Sequence, residues 1–466
     1  MFLFGLNINK KVFSPNNINE MKTNFFVLLF LAINIQAQTL NDSILQKLKF
    51  EIKEELRIEF QNESKGNLKK LTSETDKFSL HGYAVVNYYN FDFDTDPNIK
   101  SKIDAERLNI YPEFQYKDWI AFRSEIEFEH GGTGANIGFD NQQEFGEFEQ
   151  EIEKGGSVKL EQIYVDFMIK PYFNIKAGRI KLLFNLAQSL DDPDEYFTTH
   201  RQEMENELTP LGWYESGVSF YGTFAKKFNY HFSIVNGLDS SGFNSRGWIR
   251  DGHQERFEMV TAESFAAMFR LDYKFGKNKH TYFGFSTYIG DAAANRPKDD
   301  IKETAYVTMF EGHFTYNEFP LRIYTTSIYG NLENSNIVSV RNSSLSNELG
   351  VKRTPVGKNA VGFTTEIGYD VLHLFNPKAK QMLYPFMRYD YYDSMFDVEG
   401  SIIDNPRWER SVITGGLNWF IAQEVILKAQ YSSRRLGSQN YNLSTLEFTG
   451  KKQMENTFSV GIAFEF

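Results

Sequence analysis

The chain has 466 residues, with 50 basic and 61 acidic side chains and a formal net charge of −11 at pH 7. This acidic balance disfavours nucleic acid as a partner, and the lack of cysteine excludes disulfide bonds, thiolate metal sites and an acylated N-terminal cysteine. The 44 phenylalanines and 25 tyrosines accompany a mean hydropathy of only −0.44, which is typical of a barrel with alternating lipid-facing and polar side chains.

The N-terminal region is predicted to be a targeting sequence that precedes the folded protein. Met21 opens a short basic segment, the run 25–33 is apolar, and Ala37 is a small residue suited to cleavage. These features predict a secretory signal peptide over residues 21–37. Residues 1–20 are then interpreted as a mis-assigned start region, because signal peptides begin close to the true start.

Residues 38–77 are predicted to form a periplasmic helical segment. Apolar residues recur there at three- and four-residue spacing between charged ones, which indicates an amphipathic helix; they are Leu45, Leu48, Ile52, Leu56 and Phe60. A trimer-forming coiled coil and a lone helix on a surface both fit this pattern.

Residues 78–466 are predicted to form an all-β domain, because the hydropathy period there is two. The final strand is the clearest case: its aromatic and branched residues share one face, and small or polar residues share the other. Sixteen segments show this alternation, at about 78–91, 101–116, 119–131, 157–170, 172–180, 214–224, 227–237, 261–275, 280–290, 302–317, 320–331, 358–372, 382–395, 408–420, 423–435 and 454–466.

The connections between these segments alternate strictly between short turns and long polar loops. Turns such as 170–172 and 225–227 are tight, whereas 132–156, 181–213 and 332–357 are long. Bacterial outer-membrane barrels have short periplasmic turns, longer external loops and an even number of strands. We therefore predict a 16-stranded antiparallel transmembrane β-barrel in the outer membrane, with both barrel termini in the periplasm. A soluble sandwich has no reason to sort its loops in this way.

Several motifs, in this order, resemble the phosphate-selective porin O and P family, especially its Bacteroidetes-type members. They are Leu160-Glu-Gln-Ile-Tyr-Val-Asp-Phe167, Lys176-Ala-Gly-Arg-Ile-Lys181, Gly217-Val-Ser-Phe-Tyr-Gly222, Tyr384-Pro-Phe-Met-Arg-Tyr-Asp390 and Gly415-Gly-Leu-Asn-Trp419. The resemblance implies an outer-membrane porin, normally a homotrimer, whose third external loop folds inward as a constriction. In this chain that loop is 181–213, and lumen arginines and lysines would attract anions.

Basic side chains on the polar face of the strands are candidates to line the pore and guide solutes. By strand parity these are Arg107, Arg123, Arg270, Arg322, Arg388 and Lys428, and the resemblance adds Arg179 and Lys181. Pairing with wall carboxylates such as Glu125, Asp272 and Asp390 is an equally good reading of the same residues.

The predicted constriction loop departs from the basic pattern of the family. Four carboxylates follow one another closely within it, namely Asp191, Asp192, Asp194 and Glu195. Acidic groups in a pore repel anions. We therefore predict weak anion preference at most and no dedicated high-affinity phosphate site.

The function predicted from these features is passive diffusion of small hydrophilic or charged solutes, with outer-membrane lipid around the barrel. No catalytic motif is apparent, and no cofactor or metal is expected, because the eight histidines have no ligand spacing. An outer-membrane enzyme and a structural anchor with a blocked lumen stay open as alternatives.

Overall fold

The computed structural model describes residues 77–132, 135–140, 149–154, 156–254, 260–276, 281–345, 353–438, 440–442 and 447–466. The predicted start region, signal peptide and helical segment lie outside the described residues, apart from Lys77 at the end of the last.

The described residues form a closed antiparallel barrel of sixteen strands, and two further hairpins lie outside its wall. The barrel strands are β1 (Phe78–Phe93), β2 (Lys102–Lys117), β3 (Ile120–Glu129), β6 (Ser157–Lys170), β7 (Phe173–Lys181), β8 (Tyr214–Phe224), β9 (Phe228–Asn236), β10 (Phe265–Phe275), β11 (Thr281–Asp291), β12 (Tyr306–Glu318), β13 (Leu321–Leu332), β14 (Asn359–Tyr369), β15 (Met382–Asp397), β16 (Glu409–Ala422), β17 (Val425–Leu436) and β20 (Gln453–Glu465). The predicted fold class and strand number are confirmed.

The barrel closes where the last strand, β20, pairs with β1. This ladder runs from the pair Tyr83↔Glu465 to the pair Phe93↔Glu455. Closure gives every barrel strand two neighbouring strands, so the sheet has no edge strand, a condition that lipid imposes on strands that cross it. Because all neighbours are antiparallel, β1 begins and β20 ends at the end of the barrel that also carries the short turns.

Two of the long connections that the sequence predicts as polar, 132–156 and 436–453, each contain a short hairpin. The hairpins are β4 (Ala135–Asp140) with β5 (Glu149–Lys154), and β18 (Asn440–Asn442) with β19 (Glu447–Thr449). Apolar alternation did not reveal them, because a hairpin outside the barrel wall needs no lipid-facing side.

The loops carry short helices as well, α1 (Glu203–Leu208), α2 (Ser335–Ser343) and α3 (Leu372–Phe375). Single turns of 3₁₀-helix occur at Ser240–Gly242, Arg250–Gly252 and Pro406–Trp408. In the described part of the chain, every helix falls short of the length and hydropathy that a membrane-spanning helix requires.

The outer face of the barrel is apolar, and the inner face carries the charges. On β15, Met387 is 55% exposed on the outside, whereas its neighbour Arg388 is 2% exposed on the inside. On β10 the charged Arg270 and Asp272 are likewise buried, as the alternation predicted. A charge on the lipid face would cost about 2–4 kcal/mol at mid-membrane, so this sorting is required of a transmembrane barrel.

Aromatic rings form a band on the outside at the short-turn end of the barrel. The rings of Phe224 and Phe228 lie 5.1 Å apart, Phe228 lies 5.0 Å from Tyr273, and Tyr273 lies 5.4 Å from Phe283. Transmembrane barrels carry such girdles where the apolar belt meets the headgroups. The band therefore marks one margin of the belt.

Candidate pore site inside the barrel

The third long connection, residues 182–213 between β7 and β8, turns into the barrel; we call it loop L3. Its apolar side chains Leu182, Phe184, Phe197 and Trp213 are at most 1% exposed. L3 forms hydrogen bonds with β15 and β16. In the strand order these lie eight strands from β7 and β8, so L3 crosses the lumen to the opposite wall.

On the far wall, L3 follows the lumen face of β17 from near its short-turn end to its long-loop end. The ammonium group of Lys428 donates to the carbonyl oxygens of Tyr196 (2.8 Å) and Thr198 (3.0 Å). Higher on the strand, the guanidinium of Arg434 donates to Glu203 at 2.6 Å. Regular alternation along β17 therefore provides a row of partners to which L3 is fixed.

A buried carboxylate, Asp191, is the main charged anchor of L3. It accepts hydrogen bonds from Arg107 (3.0 Å), Lys181 (2.7 Å) and Arg201 (2.8 Å). Arg201 also reaches Glu127 on β3 at 2.9 Å. Three cations face two carboxylates here, and charges so deeply buried persist only when they are paired.

The start of L3 is held by Arg270 on β10. One nitrogen of its guanidinium lies 3.2 Å from the carbonyl oxygen of Leu183 and 3.3 Å from that of Asn185. The same guanidinium pairs with Asp272 at 2.9 Å. The anchor therefore joins the first turn of L3 to a charged cluster on the wall.

That wall cluster contains His313, whose two ring nitrogens both face carboxylates. Nε2 lies 2.9 Å from Asp272, and Nδ1 lies 2.9 Å from Glu311. A neutral imidazole has only one N–H donor. Both ring nitrogens can therefore form hydrogen bonds with these carboxylates only when the ring or one of the two carboxyl groups carries an additional proton. Gly284 makes room for it, because a Cβ there would lie 2.4 Å from Asp272 and 2.6 Å from His313.

The remaining predicted solute-guiding residues are also engaged in the wall. Arg123 pairs with Glu113 (2.6 Å), and Arg388 pairs with Asp390 (2.8 Å). Arg322 donates to the carbonyl oxygen of Asp194, and Arg179 donates to that of Glu161. The predicted cations found at 9% exposure or less are Arg107, Arg123, Arg179, Arg270, Arg322, Arg388 and Lys428.

The predicted acidic residues of L3 separate into two groups. Asp191 is buried among cations, whereas Asp192, Asp194 and Glu195 are partly exposed. Arg322 lies one residue from the start of β13, which places this accessible group near the short-turn end. Of these four predicted carboxylates, three are thus partly exposed to solvent, whereas Asp191 is enclosed by the cations that bind it.

Two glutamates on helix α1, Glu203 and the buried Glu205, have pKa values displaced in opposite directions. Burial would raise the pKa of Glu203, but Arg434 and the hydroxyl of Tyr392 hold it at about 2. Burial raises the pKa of Glu205 to about 7, against the partial opposition of a hydrogen bond from the Ala187 amide. Near neutral pH, Glu203 is therefore charged and Glu205 changes its charge.

Asp191 itself is held in the ionised form. Burial would raise its pKa, but the charges of Arg201, Lys181 and Arg107 outweigh that effect and hold the pKa well below its ordinary value. The anchor is therefore charged at any pH near neutrality.

Above L3, at the long-loop end, the loops share one apolar core. Side chains from L3 pack with residues from loops 237–264, 292–305 and 333–358, among them Met204, Trp213, Leu238, Phe243, Trp248, Ile301, Val338 and Val356. Sequence reasoning had treated these connections as polar. The apolar residues are too sparse along each loop to form a periodic pattern, so their common core became apparent only in three dimensions.

Glycines on the lumen face of β13 and β14 accept side chains from the loops, a role that the sequence reasoning missed. A Cβ on Gly330 would meet the ring of Trp248 at 2.1 Å, and one on Gly368 would meet the ring of Phe197 at 2.4 Å. A glycine at lumen parity, opposite a long loop rich in aromatic residues, is the signal that could have suggested these contacts.

Among the described residues, no group of three or more histidine, aspartate or glutamate side chains is arranged to hold a metal ion. The Asp272–His313–Glu311 group serves the wall instead, through its contacts with Arg270.

No family model matches the sequence. An uncharacterized protein of Aquifex aeolicus (strain VF5) is 25% identical over 355 residues, which cover 76% of this chain and 74% of that protein. This identity does not assign a family.

Several solved outer-membrane proteins are similar in structure. A loop L8 deletion mutant of OmpT of Vibrio cholerae aligns with a TM-score of 0.48 at 12% identity, covering 84% of this chain and 99% of that one. An anion-selective porin from Comamonas acidovorans aligns with a TM-score of 0.48 at 11% identity, with the same coverage. The channel DcaP of Acinetobacter baumannii aligns with a TM-score of 0.46 at 10% identity, covering 84% and 97%. Because these scores are below 0.5, the likeness does not by itself assign a function to this barrel.

Proposed function

We propose that the protein is an outer-membrane porin, a passive diffusion channel for small hydrophilic or charged solutes that L3 narrows. The observation that carries the proposal is the passage of L3 across the lumen, from β7 to the opposite strands β15 and β16. A loop fixed across a lumen by side chains of the wall leaves a smaller passage beside it and sets the charges that a solute meets.

The proposed location is the outer membrane, with the short turns and the barrel termini in the periplasm. The apolar outer face and the aromatic band support insertion into lipid. The sorting of short turns to one end and long loops to the other supports the orientation. Protease added to whole cells is then expected to cleave the long loops and to spare the turns.

For selectivity, we propose weak anion preference at most, without a dedicated high-affinity site for phosphate. Seven of the eight predicted cations are at most 9% exposed and donate to wall or loop acceptors, whereas Asp192, Asp194 and Glu195 of L3 are partly exposed. An accessible carboxylate repels phosphate, whereas a buried and paired guanidinium attracts it only weakly. The motifs that resemble the phosphate-selective porin O and P family therefore support a porin more strongly than they support phosphate as its solute.

For assembly, we propose a homotrimer whose contacts include the helical segment 38–77. The support is the apolar spacing within that segment together with the family resemblance. Native mass measurement of the intact protein tests the trimer. If a variant that lacks residues 38–72 remains trimeric, the barrel walls and not the helix hold the contacts.

A second candidate is a structural barrel whose lumen is closed. The shared apolar core of the loops and the burial of the predicted pore-lining cations favour it. Planar-bilayer recording distinguishes the two candidates. Purified porin is expected to give discrete conductance steps and a reversal potential near zero in a salt gradient. The lack of any steps would reject the porin, and strong anion selectivity blocked by micromolar phosphate would reject the proposed selectivity.

A further inference from the structure

The wall of the barrel has a seam between β6 and β7 near the long-loop end. The ladder between these strands ends at the pair Ile163↔Arg179. Beyond it, β6 continues to pair with β3 as far as Ser157, and β7 continues to pair with β8 as far as Lys181. Residues 157–162 of β6 therefore have no strand partner on the β7 side, and the two strands diverge.

Side chains and a glycine shape the point of divergence. Gly178 has a φ of +139°, and a Cβ there would lie 2.3 Å from the carbonyl oxygen of Ile163, so the strands approach closely just before they separate. One residue further on, Nε of Arg179 donates to the carbonyl oxygen of Glu161 at 3.1 Å. A side chain there takes the place of a ladder hydrogen bond, and the seam retains a fixed cation.

A cavity of about 220 Å³ lies in the seam. Its polar lining includes Arg179, Lys159, Glu161 and His253, and its apolar lining includes Leu160. Two further apolar lining residues are open to the surroundings, since Val158 is 41% and Leu211 is 45% exposed. The cavity thus combines buried charge with an apolar entrance on the outer side of the wall.

The volume restricts what this cavity can hold. Pockets that enclose drug-sized molecules measure roughly 300–1,000 Å³, so this one accommodates a headgroup and leaves an alkyl chain outside. The exposed Val158 faces outward beside Phe128, its partner on β3, within the apolar surface of the barrel. An alkyl chain in that position contacts apolar side chains.

The charges select the headgroup. Arg179 and Lys159 both attract an anion, and Lys159 also pairs with Glu129 at 3.2 Å. A phosphate monoester carries up to two negative charges on three acceptor oxygens, so it can accept from both cations at once. A carboxylate head carries a single charge on two oxygens.

We propose that the seam between β6 and β7 is a binding site for the phosphate headgroup of a single-chain amphiphile, which enters from the outer side of the wall. Binding at this site does not depend on whether the barrel conducts. It gives Arg179 a role at the wall, in contrast to its predicted place along the pore.

The lack of cysteine in the chain allows a direct test with one introduced label. The variant Val158→Cys, folded in a neutral maltoside detergent, carries a bimane fluorophore at the entrance of the cavity. The matched control is Val460→Cys on the outer face of β20, where the side chain is 39% exposed. Each labelled protein is titrated with dodecyl phosphate and, separately, with inorganic phosphate.

A saturable fluorescence change at position 158 with dodecyl phosphate, and none at position 460, is the expected result. Adding Arg179→Gln should weaken this binding by about tenfold or more, because a hydrogen bond to a charged group is lost. Lys176→Gln, which removes a cation on the same strand outside the cavity lining, should leave it unchanged. If Arg179→Gln does not fold, Lys159→Gln replaces it.

Three results would overturn the proposal. Equal changes at positions 158 and 460 would indicate partition into the micelle. Inorganic phosphate that binds as tightly as dodecyl phosphate would indicate a free-anion site. Unchanged affinity in both Arg179→Gln and Lys159→Gln would show that the cavity cations do not hold the headgroup.

Discussion

The substitution Asp191→Asn removes the buried charge to which three cations bind. In the wild-type protein Arg107, Lys181 and Arg201 all lie within 3.0 Å of this carboxylate. An asparagine keeps the shape of the side chain and leaves Glu127 as the remaining carboxylate of the described ion pairs at this anchor. Breaking a buried ion pair by removal of one partner costs about 3–5 kcal/mol. We expect this cost to fall on the docking of L3, because the anchor joins the loop to the wall.

The magnitude translates into a measurable population. Since about 1.4 kcal/mol corresponds to a tenfold change, the undocked fraction of L3 should rise between roughly a hundredfold and a few thousandfold. Arg201 becomes accessible to trypsin when the loop leaves the wall, and cleavage of a transiently open segment follows its equilibrium population. The rate of cleavage at Arg201 should rise by the same factor. Single-channel conductance and its open-state noise should increase in parallel.

The matched control for this experiment is Asp194→Asn. Arg322 holds the backbone carbonyl of Asp194, and that bond survives the substitution. The control should therefore change proteolysis far less than Asp191→Asn does. If the two variants were cleaved at the same rate, the charged anchor would have no part in docking, and the reasoning would be refuted.

Three further outcomes are expected. In urea unfolding, Gly284→Ala should lower the free energy of unfolding by about 1–3 kcal/mol, because the added methyl group crowds the wall cluster. Gly312→Ala is the control and should be nearly neutral, because a Cβ there would lie 3.8 Å from its nearest neighbour, Ser327. The pKa of Glu205 is raised to about 7 in the folded protein. The contribution of this group to stability is therefore complete below about pH 4 and is lost as the pH rises through 7. In Glu205→Gln, the free energy of unfolding should no longer show this loss between pH 5 and pH 8. Neutralising the partly exposed L3 acids Asp192, Asp194 and Glu195 should move the reversal potential toward anion selectivity. An unchanged reversal potential would show that these three side chains lie outside the solute path.

The barrel was predictable because membrane insertion imposes a simple pattern on the sequence. Each strand must present apolar residues to lipid at every second position, so Met387 and Arg388 fall on opposite faces without reference to the rest of the chain. Antiparallel closure then places all short turns at one end. These constraints are local, and a period of two reveals them.

The loops were less predictable, because their partners are distant in sequence. Lys428 was identified as a lumen residue, but its bonds to Tyr196 and Thr198 join positions more than two hundred residues apart. Arg179 was assigned to the pore from a family motif, and the early end of one strand ladder places it at the seam. Neither contact leaves a periodic signal, since each depends on how far a single loop or strand bends.

The way in which L3 is held has a consequence for how the proposed channel can diverge. Many of its contacts with the wall end on its own main-chain oxygens, as with Arg322 and Asp194 or Asn418 and Phe197. A carbonyl oxygen is present whatever the side chain. Many L3 residues can therefore be substituted while the hydrogen bonds that hold the loop to the wall are kept. Solute preference can therefore change through substitutions in a single loop. A library of variants confined to L3 is the natural starting point for redesign of that preference.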